Sequence, residues 1–152
     1  MPPEFLPEVP DLDVVGRLFE KRSQIEIGLR KAIILYLNVK FTFDNQKISK
    51  AIINGLLKRS DRPDPKDLFV GRSPQDTINQ LYTLDLKGVI IKNWDVFNPL
   101  FDNKQQRFEM NMDTLNIARR VEAHTKPVTQ EEIIDFENSY SWLLSKLAKI
   151  PK

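Results

Sequence analysis

The sequence predicts an all-α bundle of five or six helices. Three observations predict it. Apolar residues recur at three- and four-residue steps through most of the chain, no segment alternates with the two-residue period of a strand, and helix start and stop signals separate the periodic runs. At 152 residues, with 41% hydrophobic and 29% charged residues, the composition is that of a single domain around one sizeable core. That domain is expected over residues 11–150, after an arm at 1–10 whose four prolines favour extended backbone. No internal repeat is visible.

The first helix starts from a cap at Asp11 or Asp13 and buries Val14, Leu18, Ile25, Leu29, Ala32 or Ile33, and Tyr36. Arg22 interrupts this stripe. Glu26 and Arg30 stand four apart in the acid-before-base order that favours an intrahelical pair, either on the surface or lining a polar cleft. Phe41-Thr-Phe-Asp-Asn45 turns the chain into a second helix with Ile48, Ala51, Ile52 and Leu56 on one face. The charged, proline-bearing run from Lys58 to Pro65 reads as a surface loop, its Lys58, Arg59 and Arg62 either simply solvated or in contact with phosphate. Ser73-Pro74-Gln75-Asp76 starts a third helix with a hydroxyl cap, a first-turn proline and an acid at the positive end of the dipole.

Thr83 to Lys92 reads as a short apolar helix, and Trp94, Phe97 and Phe101 follow close together as a core cluster or, for Trp94, a base-stacking ring. Asp102 is the expected cap of a long helix near 103–124, whose inner face carries Phe108, Met112, Leu115 and Ala118. Lys126-Pro127 ends it. Thr129 to Glu132 matches a capping box, and the last helix turns Ile133, Phe136, Tyr140, Leu143, Leu144 and Leu147 inward.

Composition narrows the function. The chain has no cysteine, which excludes disulfides, zinc fingers, iron–sulfur clusters and thiol nucleophiles, and a single histidine excludes a multi-histidine metal site. No cofactor is expected. No apolar run approaches the length of a bilayer span, and the N-terminal residues lack the pattern of a signal peptide, so the expected compartment is the cytoplasm. The net charge of +2 makes any nucleic-acid surface a matter of local clustering.

The stretch Asp113 to Pro127 concentrates the chemistry: it holds His124, Arg119, Arg120 and Asn116. On an unbroken helix Arg119 and His124, five residues apart, point about 140° away from each other, so they need a second surface to converge. Arg120 and His124 share a face. Spacing alone is equally served by a histidine interacting with the helix dipole at a C-terminus, beside solvated arginines.

Asn116-x-x-Arg119-x-x-x-Ala123-His124, near the end of a long helix and followed by a proline and a final helix, resembles the HEPN superfamily, whose domains carry an arginine, four to six residues and a histidine in this place. Lys92-Asn-Trp-Asp-Val-Phe97 and Ile25-Glu-Ile-Gly-Leu-Arg30 also look like HEPN elements. The resemblance is loose over residues 12 to 147 and better over 84 to 128. It points to the HEPN domains of RNA quality-control endonucleases and prokaryotic defence proteins. It implies a helical bundle that dimerises, setting two Arg/His pairs across a shared cleft, and a metal-independent endoribonuclease.

Carried over by position, Arg119 is the motif arginine, His124 the motif histidine and Asn116 the polar residue one turn earlier. Arg120, Lys126, Glu26 and Arg30 are the candidate substrate contacts. Two departures stand out. Arg120 occupies a position that is often asparagine, aspartate or histidine in the family, and Lys126 stands where toxins silenced by a partner nucleotidyltransferase carry tyrosine.

The residues suit the reaction. Metal-free RNA cleavage needs a base for the 2′-hydroxyl, an acid for the leaving 5′-oxygen and positive charge on the phosphoryl oxygens. Histidine titrates near neutrality and serves as either acid or base, while arginine offers phosphate a planar fork. One histidine cannot hold both roles at once, so a homodimer would supply the second. The alternatives are a non-catalytic HEPN module that binds RNA or a protein partner within a larger protein, and a helical interaction domain in which the motif is coincidental.

Overall fold

A computed structural model describes residues 12–118 and 128–150. Of these, 72% are helical and none is in a strand. Five helices have ten residues or more: α1 (Leu12–Lys40), α2 (Asn45–Asn54), α5 (Thr83–Lys92), α7 (Gln105–Leu115) and α8 (Gln130–Leu147). Three are short: α3 (Pro65–Leu68), α4 (Pro74–Asn79) and α6 (Trp94–Phe97). Among the described residues no helix is long and apolar enough to cross a membrane. The expected arm at 1–10 lies outside the described residues.

Helix α1 packs on α5 and α8, and α7 packs on the same two, which closes a four-helix ring; α2 and α4 cover one side of it. The core holds Leu18, Ile25, Leu29, Ile33 and Leu37 from α1, Leu86 and Ile90 from α5, Phe108 and Met112 from α7, and Phe136 and Leu143 from α8. An aromatic stack locks the α6–α7 corner to α8. Trp94 and Phe101 stack at 6.0 Å, Phe101 meets Phe108 at 4.4 Å, and Trp142 stacks on Phe101 at 6.1 Å. Trp94 is thus part of the core cluster. On α8, Leu144 faces outward and Trp142 inward, which corrects the expected inner face by one residue.

Local signals set most helix starts. Asp44 accepts from the N–H groups of Gln46 and Lys47 (3.1 and 3.2 Å), and Ser73 Oγ accepts from the N–H of Asp76 (3.1 Å). The Thr129–Glu132 capping box forms in both directions. Asp102 departs from expectation. It adopts φ +56° in the turn before α7, and its carboxylate accepts from Lys146 and Lys149 of α8 instead of capping α7. Lys104 is the N-cap of α7 and contributes no side-chain bond.

The glycines at the α2–α5 crossing are there for space. A β-carbon on Gly88 would stand 2.4 Å from the carbonyl oxygen of Gly55, and one on Gly55 would stand 2.5 Å from Val89 Cα. With neither present, the backbones touch, and Asn93 Nδ2 ties the two helices by donating to the carbonyls of Ala51 (3.2 Å) and Val89 (2.8 Å).

Candidate functional site

The candidate residues fall into two groups. Arg119, Arg120, His124 and Lys126 lie outside the described residues; Asn116, Glu26 and Arg30 lie within them. Helix α7 stops at Leu115, with Asn116 as its C-cap, and the chain is helical again at residues 117 and 118. The helix expected to run unbroken from 103 is therefore interrupted three residues before Arg119. Asn116 is half-buried, and its Oδ1, fully shielded from solvent, accepts no hydrogen bond among the described residues. A buried carbonyl oxygen left this way costs about 1–3 kcal/mol.

Glu26 does not form the expected pair with Arg30. It is only 4% exposed, and its carboxylate accepts from Thr83 Oγ1 at 2.8 Å and stands 3.8 Å from Arg22 Nε. Arg22 is 3% exposed and lies over the ring of Phe19, 4.8 Å from its centroid. Arg30 reaches across to the link before α5, where Nη2 donates to the carbonyl of Leu81 at 2.7 Å. Both residues expected to contact substrate thus act within the fold. Glu26 holds Arg22 and Thr83, and Arg30 holds the chain at the start of α5. Sequence reading noticed Arg22 as a break in the stripe and gave it no role; the available signal was an arginine four residues before an acid inside an apolar face.

Helices α5 and α7 run antiparallel. Trp94, just past α5, meets Phe108 at 5.9 Å, and one turn or two earlier Lys87 donates to Asp113 Oδ1 at 2.8 Å. Continued by one turn, this register brings the end of α7, with Asn116, toward the start of α5, where Thr83 holds Glu26. Phe19, whose ring lies under Arg22, and Tyr82 and Leu84, on either side of Thr83 in the chain, are exposed, so the polar interior set has apolar surface beside it. Buried charges enclosed in this way contribute little net stability compared with well-packed apolar side chains.

The charged loop is not the open phosphate contact considered from sequence. Arg62 forms a two-pronged pair with Asp85, Nη1 to Oδ2 and Nη2 to Oδ1 at 3.0 Å each, and also donates to the carbonyl of Leu57 at 2.8 Å. Lys58 pairs with Asp64 at 3.4 Å and Arg59 with Asp61 at 3.2 Å. Among the described residues no group of three carboxylates or histidines is assembled that would hold a metal ion. No family model, curated protein or solved structure matches the chain.

Proposed function

We propose that this chain is a HEPN-type, metal-independent endoribonuclease that cleaves single-stranded RNA through a composite Arg119/His124 site at a homodimer interface. The observation that supports it most is the polar set of Arg22, Glu26 and Thr83 inside an apolar bundle, together with the buried Oδ1 of Asn116, which accepts no hydrogen bond among the described residues and stands three residues before Arg119. In this reading, His124 moves the proton of the 2′-hydroxyl or of the leaving oxygen, and its copy across the two-fold takes the other step. Arg119 neutralises the phosphoryl oxygens, aided by Arg120 and Lys126. Glu26 and Arg30 position helices rather than substrate. The exposed Phe19, Tyr82 and Leu84 supply apolar area for the second copy.

The test compares the parent with His124→Ala and Arg119→Ala on a single-stranded RNA, alongside light scattering of each. His124→Ala is expected to abolish cleavage and leave the helical circular dichroism and the dimer unchanged; Arg119→Ala is expected to lower both rate and RNA affinity. A parent that is monomeric at high micromolar concentration contradicts the composite site. Cleavage by His124→Ala at the parental rate contradicts the catalytic assignment, and the alternative then takes its place: a non-catalytic module that binds RNA or a protein partner within a larger protein.

A further inference from the structure

Several cations of the described chain are held by carboxylates: Lys21 by Glu137, Arg22 by Glu26, Arg62 by Asp85, Lys87 by Asp113, and Lys146 and Lys149 by Asp102. The surface around α2 is different. Three adjoining clefts there, formed by α2, α3, the loop into α4 and the end of α5, are lined by Lys47, Lys50, Lys58, Lys66, Arg72 and Lys92. Asp64 is the one carboxylate among their lining residues, and it is already engaged by Lys58 and by the backbone N–H of Lys66. The other five cations are exposed and form no close ion pair among the described residues, with the charge of Lys66 acting on Asp64 from a distance. Asp67 and Asp76 lie on the neighbouring short helices without lining the clefts.

Helix α2 explains how the face arises. Ile48 and Ile52 go into the core, and the opposite side presents Lys47, Lys50 and Asn54, with no acid anywhere in the helix. The largest cleft, about 690 Å³, is lined by the apolar Ile53, Phe69 and Val70 together with Lys50, Lys66 and Arg72. Just before α2, Phe43 is held at φ +61° and is 70% exposed, one turn before Lys47 and outside the lining of the three clefts. A bulky residue at positive φ is an uncommon backbone state. Cations around apolar surface, with an exposed aromatic residue nearby, are what a single-stranded nucleic acid needs: charge for the phosphates and apolar area for the bases.

We propose that the α2 face, built from residues other than the proposed catalytic set, is a binding surface for single-stranded RNA that holds the strand while another part is cut. The proposal rests on the reading of the chain as an RNA-directed protein. An acidic peptide with apolar side chains is the competing occupant. A strand with regularly spaced phosphates fits better, because the cations extend over three clefts rather than surrounding one pocket.

The probe is a 2′-O-methyl oligouridine of about twenty nucleotides, which lacks the free 2′-hydroxyl and stays intact, bound to the full chain over a range of salt concentrations. Each phosphate neutralised contributes about 0.7 to the slope of log affinity against log salt for a single strand. The variant Lys50→Gln/Lys66→Gln/Arg72→Gln is expected to lose about two units of slope and to bind at least roughly tenfold more weakly at low salt. Arg17→Gln/Lys31→Gln/Lys104→Gln, with the same loss of charge at exposed sites elsewhere, is expected to keep most of the parental slope. Equal slopes for the parent and the α2-face variant overturn the proposal, as does a parent that binds an acidic apolar peptide and no RNA. The two readings fail separately. Slope lost in the α2-face variant while the parent cuts no RNA keeps the face and removes the catalytic site; cleavage that needs His124 with slope unchanged does the reverse.

Discussion

At the scale of single residues, what could be read from sequence was what depends on near neighbours. Asp44, Ser73 and Thr129 cap the helices they precede because a cap needs only the next two or three N–H groups. Asp102 carried the same local signal and went elsewhere, because its partners Lys146 and Lys149 lie 44 and 47 positions away. Those lysines hold its carboxyl down to about 2 from an ordinary 3.8, Lys146 contributing most. A depressed carboxylate stabilises the fold above its unfolded value and loses that contribution as pH falls through its folded one. Thermal melts of the parent are therefore expected to drop more steeply between about pH 4 and 2 than those of Asp102→Asn. Parallel curves would show that the two lysines contribute no pH-dependent stability.

For Glu26 only part of the pairing was hidden in this way. A helix wheel offers Arg22 and Arg30 alike, four residues to either side, and the folded chain selects Arg22 and adds, from 57 positions away, Thr83. Removing one member of a buried ion pair leaves the other uncompensated, so Glu26→Ala is expected to cost about 3–5 kcal/mol in urea unfolding. Arg22→Met/Glu26→Met is expected to be far closer to neutral, because both charges leave together. If the double variant were as unstable as the single one, packing rather than charge would set the cost.

At the scale of elements, the helices with a clear apolar period were legible, and the places where helices stop or meet were less so. Thr83–Lys92 and the faces of α1, α2 and α7 follow from spacing alone. The interruption at Asn116 does not, because asparagine inside a helical pattern is only a weak breaker, and the burial of its side chain is a tertiary property. The α2–α5 crossing was equally silent: Gly55 and Gly88 look like ordinary glycines until their separation is known. In an exposed helix, glycine to alanine is stabilising by about 0.5–1 kcal/mol. Gly88→Ala should reverse that sign and destabilise by about 1–3 kcal/mol, since the added carbon would stand 2.4 Å from the Gly55 oxygen. Gly16→Ala in α1, where nothing lies within 4 Å of the added carbon, should keep the stabilising sign. Chemical denaturation of both variants checks the pair, and stabilisation by Gly88→Ala would contradict the close crossing.

At the scale of the whole molecule, the all-α fold was legible because period, caps and composition agree along the chain. The charge distribution was not. A net charge of +2 conceals a face with six cations and one engaged carboxylate, assembled from α2, α3, the loop beyond it and the end of α5. The loop that looked most basic in sequence, Lys58 to Arg62, is largely neutralised by its own acids and by Asp85. In the functional account we propose, binding is assigned to the α2 face and chemistry to Arg119 and His124, and a second copy completes the chemistry.

The chemistry is the central claim, and the nature of the product tests it most directly. A single-stranded RNA and the same oligonucleotide with 2′-deoxy substitutions at its cut sites are incubated with the parent protein in EDTA, and the new ends are identified by mass. The account predicts that the RNA is cut to 2′,3′-cyclic phosphate ends while the 2′-deoxy positions stay intact, because the 2′-hydroxyl is the nucleophile and histidine handles its proton. Cleavage of the 2′-deoxy positions, 5′-phosphate ends, or activity that appears only when magnesium is restored would contradict it.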